Sequence, residues 1–110
     1  MLDLRLYMLQ RITAMFMGPF VLGHIAVMIY AIQGGLTTAE ILGRTQGSVF
    51  WFLFYGSFVI MVSVHAVIGL LVIIHEFRGV KGFALSTITW SICLVFLFMG
   101  TRAVSAVTLL

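Results

Sequence analysis

Three long stretches without Asp, Glu, Lys or Arg limit what this chain can fold into more than any other feature. They run from about Ile12 to Ile32, from about Val49 to Ile74 and from about Phe83 to Met99, and the last can be extended to Arg102. A helix needs about 20 mostly apolar residues to cross a bilayer. The sequence therefore predicts one all-α domain over residues 1–110, a three-span transmembrane helical bundle.

The composition excludes several other classes of protein. Hydrophobic residues make up 63% of the chain and charged residues only 8%, whereas soluble domains are about 25% charged. A free soluble globule and a disordered tail are excluded, and six scattered basic residues form no patch for nucleic acid. The single cysteine, Cys93, excludes a disulfide framework and an all-cysteine metal site. A chain this small needs a partner to build a substantial pocket.

The connecting segments also carry signals. Gln33–Gly47 is polar and Gly-rich, and Thr37, Thr38 and Glu40 in it predict the cap region of a short interfacial helix. The short gap His75–Gly82 predicts a tight antiparallel hairpin of spans two and three. The amphipathic run Leu2–Gln10 is expected to lie in the membrane interface before the first span. It lacks the cleavage site of a signal peptide and the features of a transit peptide.

Lysine and arginine bias predicts the orientation. Four basic residues fall on one side of the spans and two on the other. The first group comprises Arg5, Arg11, Arg78 and Lys81, and the second comprises Arg44 and Arg102. We therefore expect a multi-pass protein of the bacterial cytoplasmic (inner) membrane, with its N-terminus inside and its C-terminus outside.

Two histidines lie inside the predicted spans, where ionisable residues are costly and usually functional. Neutral imidazole is a good haem ligand. Gly69 follows His65 by one turn and would leave room for a flat macrocycle; alternatively, His65 is hydrogen-bonded to a carbonyl of a neighbouring helix and Gly69 is a helix-packing notch. His24 lies one turn after Pro19, which is expected to kink the span, and either ligates haem or ties helices together. Helix rise places the two imidazoles roughly 6 Å apart in depth, so the possibility that both bind one iron stays open.

A polar cluster at the inner end of spans one and two offers partners for a haem propionate or a quinone carbonyl. It contains Arg11, His75, Glu76 and Phe77. A neutral imidazole at His75 can donate from one nitrogen. The alternative is ordinary interfacial anchoring, with His75 and Glu76 paired at the surface.

Two segments resemble one family. His65–Phe77 reads His-Ala-x-x-Gly, then apolar residues, then an acidic and an aromatic residue. This pattern resembles the second helix of the membrane-anchor cytochrome b subunits of succinate dehydrogenase and fumarate reductase (respiratory complex II). Gln10–Ala14 is similar to the arginine-containing start of their first helix. Three spans with the N-terminus inside agree with the smaller anchor subunits of this family.

The resemblance implies a role in electron transport that joins the tricarboxylic acid cycle to the quinone pool. Such subunits anchor a flavoprotein and an iron–sulfur subunit, bind haem b with a second membrane-anchor subunit, and help form the ubiquinone or menaquinone site. By position, His65 would be the axial ligand of the haem iron, and Arg11 would lie near the haem propionates or the quinone. Glu76 and Phe77 would take the acidic–tyrosine place at the quinone. Because a phenyl ring cannot donate a hydrogen bond, His75 or a partner would supply that donor.

Single-haem members of this family need no ligand in the first span, whereas dihaem members use histidines from the first and second spans. Because His24 lies in the first span, both one haem and two haems remain open. The chain alone would not be an enzyme; the complex would pass electrons from iron–sulfur clusters to quinone. Two alternatives stay open. One is a cytochrome b anchor subunit of another membrane oxidoreductase, such as a formate dehydrogenase or hydrogenase. The other is a haem-free, transporter-like subunit, although polar residues in the third span are confined to one end, at Ser86, Thr87, Thr89 and Ser91.

Overall fold

The computed structural model describes residues 4–109, and this part of the chain forms helices and no β-strand. The helices are α1 (Leu4–Gly34), α2 (Thr38–Thr45), α3 (Val49–Arg78) and α4 (Gly82–Thr108). Three of them, α1, α3 and α4, are long and apolar enough to span a membrane. The prediction of an all-α, three-span bundle is confirmed.

The central helix is α3, and α1 and α4 pack on either side of it with little direct contact between them. Phe20 of α1 stacks on Phe58 of α3 with ring centroids 5.6 Å apart, and Gly100 of α4 lies against Val59 of α3. Few apolar side chains are buried within the described chain. Most apolar surface therefore faces outward, as expected for helices in a lipid membrane.

The helices are longer than the uncharged stretches. The described part of the run Leu2–Gln10 forms the first turns of α1 rather than a separate segment, and α1 is unbroken at Pro19. At the other end of the sequence, α3 continues one turn past Ile74 to Arg78. Backbone hydrogen bonds can continue a helix beyond its apolar part, which the hydropathy pattern does not report.

A short connection joins α3 to α4, as predicted. Gly79 ends α3 in the left-handed region, at φ 66°, and its N–H donates to the carbonyl of His75 at 3.1 Å. This conformation favours glycine, because it has no Cβ. The Nδ1 atom of His75 lies 3.0 Å from the carbonyl oxygen of Val80, which holds the turn. We call this end of the bundle, which also holds the start of α1, the turn end.

The short helix predicted within Gln33–Gly47 is α2, and it begins with a capping box formed by Thr37 and Glu40. The N–H of Glu40 donates to the Thr37 hydroxyl at 3.2 Å. In return, the Glu40 carboxylate accepts from the backbone N–H of Thr37 at 3.0 Å and from its hydroxyl at 2.9 Å. These reciprocal bonds satisfy donors that a helix start would otherwise leave unpaired.

The helix α2 connects the ends of α1 and α4. Arg44 donates to the carbonyl of Gly35, just after α1, at 2.7 Å. Thr45 donates to the carbonyl of Val107 in α4 at 2.6 Å. We call this end of the bundle the α2 end; it lies opposite the turn end.

We expect the capping box to weaken in acid. The backbone and hydroxyl of Thr37 bond to the carboxylate and hold the pKa of Glu40 below its ordinary value of 4.5, and Arg44 adds a smaller attraction. Because the folded pKa is lowered, this stabilisation is present above the ordinary pKa and is lost as pH falls through the folded pKa. The protection factors for amide hydrogen exchange in α2, which compare the observed rates with the intrinsic rates at the same pH, should therefore fall in acid.

Two variants check this expectation. Thr37→Ala removes the cap and should lower the free energy of opening α2 by about 1 kcal/mol at neutral pH. Glu40→Gln keeps an acceptor but cannot titrate, so the acid-dependent loss of protection should disappear. Equal acid dependence in the wild type and in Glu40→Gln would contradict the role of the ionised carboxylate.

Candidate functional site

His65 on α3 contacts Thr13 on α1 in the turn-end half of the bundle. The Thr13 hydroxyl oxygen lies 3.3 Å from Nδ1 of His65, and it also lies 2.8 Å from the carbonyl of Leu9 and 3.0 Å from that of Gln10. A hydroxyl has one proton, and the carbonyls can only accept. When that proton bonds to a carbonyl of α1, the Thr13 oxygen is an acceptor for an N–H at Nδ1 of His65. A neutral His65 in this tautomer has its lone pair on Nε2.

This arrangement is the one that metal-binding imidazoles usually have. A ligating histidine commonly donates its other ring N–H to a fixed acceptor, which sets the tautomer and the ring orientation. Thr13 is a fixed acceptor, because only 2% of its surface is exposed and its own proton is held by the helix. His65 therefore suits the role of an axial haem ligand that binds through Nε2.

The space beside Gly69 is not open in this structure. A Cβ added to Gly69 would lie 3.6 Å from Nε2 of Gln10, an ordinary contact distance, so Gly69 faces α1 but this packing does not require a glycine. The side-chain oxygen of Gln10 is buried and has no hydrogen-bond partner within the described residues. A flat group at Gly69 would need to displace this side chain, and no hydrogen bond to that oxygen opposes the movement.

His24 lies in the other half of the bundle, among aromatic rings. Its ring packs edge-on against Tyr55 and Phe58, with centroids 6.1 Å and 5.7 Å away. Its Nδ1 atom is buried and finds no hydrogen-bond partner in residues 4–109. An iron-bound imidazole carries a proton on the nitrogen that does not bind the metal. His24 therefore lacks the orienting acceptor that His65 has.

The structure does not bring His24 and His65 together. Thr13 lies opposite His65, and His24 lies eleven residues beyond Thr13 on α1. At about 1.5 Å per residue, the two histidines are offset by about 16 Å along the bundle. This offset is too large for both rings to bind one iron, so the two histidines would serve separate sites.

The estimate of roughly 6 Å was wrong because it placed Arg11 and His75 at the same depth. Gln10 lies beside Gly69 instead, and Gly69 precedes His75 by six residues. Gln10 therefore lies about 9 Å deeper in the bundle than His75, and Arg11, the next residue of α1, lies about 11 Å deeper.

The quinone-site residues lie at the turn end but are not in mutual contact. The Arg11 side chain is exposed and contacts Tyr7, whose hydroxyl lies 3.4 Å from Nη1 and whose ring centroid lies 5.7 Å from Cζ. Nδ1 of His75 donates to the carbonyl of Val80. A neutral His75 therefore offers Nε2 only as an acceptor, and its N–H is not free for a quinone oxygen.

The last two residues of the predicted cluster are exposed. Phe77 has 81% of its surface exposed, and Glu76 is also exposed. The surface pair of His75 with Glu76 that was considered as an alternative is not formed, because His75 bonds to Val80 instead. Glu76 and Phe77 are thus free to contact a partner or a ligand at the membrane surface.

A wide groove lies between α1 and α4, with α3 as its floor and α2 at its end. Its volume is about 1070 Å³, just above the range usual for ligand sites, so the expectation that this chain alone is too small to build a substantial pocket is wrong. The lining is mainly apolar, and we call this feature the α2 groove. Its polar lining residues are His24, Tyr30, Arg44, Thr45 and Tyr55.

Sequence reasoning missed two of these functional contacts. Thr13 was not singled out, although a hydroxyl inside an apolar span is itself a signal for interhelical bonding. Arg44 was counted only for orientation, and nothing in the linear sequence shows that it faces a groove.

Cys93 is half-buried with a free thiol.

Metal ligands are sparse within the described residues. No group of three or more His, Cys, Asp or Glu side chains is close enough to hold a metal ion there. A haem would not require such a group, because the porphyrin itself supplies four ligands to the iron.

Comparisons of the chain with protein-family models, with curated proteins and with solved structures find no match.

Proposed function

We propose that this chain is a membrane-anchor subunit of a succinate:quinone oxidoreductase. Its partners would be a second membrane-anchor subunit, an iron–sulfur subunit and a flavoprotein. In this role it helps to pass electrons from the iron–sulfur subunit to ubiquinone or menaquinone, and it has no catalytic activity alone. The proposed location is the bacterial cytoplasmic membrane, with the N-terminus and the turn end inside.

The contact between Thr13 and His65 carries this proposal. The Thr13 oxygen lies 3.3 Å from Nδ1 of His65, and a proton on that nitrogen leaves Nε2 available to a metal. The same histidine begins the His-Ala-x-x-Gly pattern that resembles the anchor subunits. A haem ligand that binds through Nε2 needs this tautomer.

Haem b, when bound, supplies reversible one-electron transfer. His65 would hold the iron through Nε2, and Thr13 would fix the plane of the imidazole. Gln10 would turn away from Gly69 to make room. The second axial ligand would come from the other anchor subunit, because His24 is offset from His65 by about 16 Å and His75 by about 15 Å.

The quinone would bind at the turn end, where the soluble subunits dock. Phe77 has no donor, and the N–H of neutral His75 is given to Val80. Arg11 is exposed, and a guanidinium has five N–H donors. The donor to the quinone oxygen would therefore be Arg11 or a partner residue, with Glu76 and Phe77 lining the site.

Isolation of the intact complex tests the proposal. A tagged chain should co-purify with flavin, iron and at least one low-spin haem b that succinate reduces. An absorbance spectrum with and without dithionite distinguishes this result from a transporter-like subunit, which would have no haem. Haem without bound flavin, reduced by formate or hydrogen, would instead indicate another oxidoreductase. Either result would overturn the proposal.

Substitution of Arg11 is expected to impair quinone reduction specifically. Arg11→Gln removes the charge and most donors at the proposed quinone site, so quinone turnover should fall at least tenfold, the equivalent of about 1.4 kcal/mol for hydrogen bonds to a charged group. Reduction of an artificial dye by the soluble subunits should not change. Arg5→Gln, on the same helix and also exposed, is the matched control. Equal quinone turnover in both variants would place the site elsewhere.

A second haem at His24 remains a prediction with its own test. Two imidazoles at separate depths suit two haems better than one, but His24 has no orienting acceptor. If His24 ligates iron, His24→Ala should lower the haem content from two per flavin to one. One haem per flavin in the wild type, with an unchanged spectrum in His24→Ala, would make His24 a packing residue.

A further inference from the structure

The α2 groove is apolar along its length and has a positive charge at one end. Its walls come from α1 and α4, which make little contact with each other, and its floor includes Trp51, Tyr55 and Phe58 of α3. Arg44 of α2 lines the groove where it meets the end of α1. A ligand that fits this surface has an apolar body and an anionic end.

The charge of Arg44 is only partly used by the protein. Its Nη2 donates to the carbonyl of Gly35, and its Cζ lies 5.4 Å from the ring centroid of Tyr30. A guanidinium has five N–H donors, so this contact leaves most of them available. The carboxylate nearest in sequence, that of Glu40, is hydrogen-bonded to Thr37 in the capping box.

The aromatic residues around Arg44 place it at the depth of lipid headgroups. Tyr and Trp are enriched where a membrane meets water, and both Tyr30 and Trp51 line the groove near the ends of their helices. From this level the groove extends towards His24, one to two helical turns deeper. Its apolar part therefore lies where acyl chains lie.

The position of α2 argues against a spanning helix as the occupant. Arg44 and Thr45 fasten α2 to the ends of α1 and α4, so α2 closes the groove at headgroup depth. A transmembrane helix of about 20 residues seated in the groove would meet α2. An acyl chain can end there, with its headgroup emerging beside Arg44.

We propose that the α2 groove binds an anionic phospholipid, with an acyl chain along the apolar floor and the phosphate at Arg44. This site is separate from His65 and from the turn end. It does not depend on the proposed succinate:quinone oxidoreductase activity, and it could be present in a haem-free protein.

Lipid titration followed by native mass spectrometry tests the proposal on the complex as isolated. Delipidated protein in detergent receives either dioleoylphosphatidylglycerol or dioleoylphosphatidylcholine, which have the same acyl chains. A charged side chain near the headgroups contributes about 1 kcal/mol, which corresponds to about fivefold in affinity. The wild type should therefore prefer the anionic lipid about fivefold, and Arg44→Gln should remove this preference while Arg44→Lys keeps it.

Two further variants make the test specific. Arg102→Gln removes a charge near the same end of the bundle but outside the groove, where Arg102 lies over Phe98, and it should change neither affinity. Ala103→Phe fills the groove wall and should weaken both lipids. Equal affinity for the two lipids in the wild type, or equal effects of Arg44→Gln and Arg102→Gln, would overturn the proposal. A haem bound in this groove would also overturn the proposal, if that haem is lost in His24→Ala and is not displaced by lipid.

Discussion

A complex that carries His65→Ala is expected to lose its low-spin b-type spectrum. If His65 is the iron ligand, as we propose, removal of the imidazole should leave the haem absent or make it five-coordinate and high-spin. The change should affect the whole population of that haem, because the other two histidines are far along the bundle: His24 is offset by about 16 Å and His75 by about 15 Å. Reduced-minus-oxidised absorbance and electron paramagnetic resonance of the intact complex measure it.

Thr13→Val provides the matched control for the role of the hydroxyl. Valine keeps the volume but cannot accept from Nδ1 of His65, so the haem should stay bound with a changed midpoint potential and changed g-values. Thr13→Ser should restore the wild-type values. An unchanged low-spin spectrum in His65→Ala would overturn the assignment, and an unaltered potential in Thr13→Val would reduce Thr13 to a packing residue.

The second large effect is expected at Gly100, where α4 comes closest to α3. A Cβ at this position would collide with one γ-carbon of Val59 and lie 3.2 Å from the other. A valine in a helix strongly prefers one rotamer, so Val59 cannot turn away without cost. Gly100→Ala should therefore separate the helices and lower the free energy of unfolding by about 1–3 kcal/mol, as measured by reversible unfolding in mixed micelles.

Two controls separate this steric effect from helix propensity. Gly56 of α3 has open space where a Cβ would go, so Gly56→Ala should stabilise the protein by about 0.5–1 kcal/mol. Val59→Ala removes both γ-carbons, so Gly100→Ala should cost much less in a Val59→Ala background. Equal costs of Gly100→Ala in the two backgrounds would show that the contact with Val59 is not responsible.

Local signals in the sequence predicted much of the fold. The start of α2 was readable because Thr37 and Glu40 are spaced for reciprocal bonds within one turn, and the α3–α4 hairpin was readable because the connection is short. Hydropathy gave the number of spans, since a bilayer imposes a minimum apolar length.

The offset between helices could not be predicted in the same way. The length of an apolar stretch does not determine which residues of two packed helices face each other. In the structure the register of α1 on α3 is set by particular pairs, such as Gly23 against Phe54, where a Cβ would come within 2.9 Å of the ring. For the same reason the sequence identified His65 as a candidate but not its partner Thr13, and it identified Arg44 as a charge but not as part of a groove.

The hydrogen bond from Thr45 to Val107 joins residues 62 positions apart, and this separation has a consequence for how the protein is made. The ribosome completes α2 before most of α3 and all of α4 exist, so α2 has no carbonyl of α4 to bond when the first span enters the membrane. The α2 end can close only after the third span has crossed the bilayer and returned Val107 to that side. Insertion of α4, rather than synthesis of the first loop, would therefore set the time at which this loop becomes ordered.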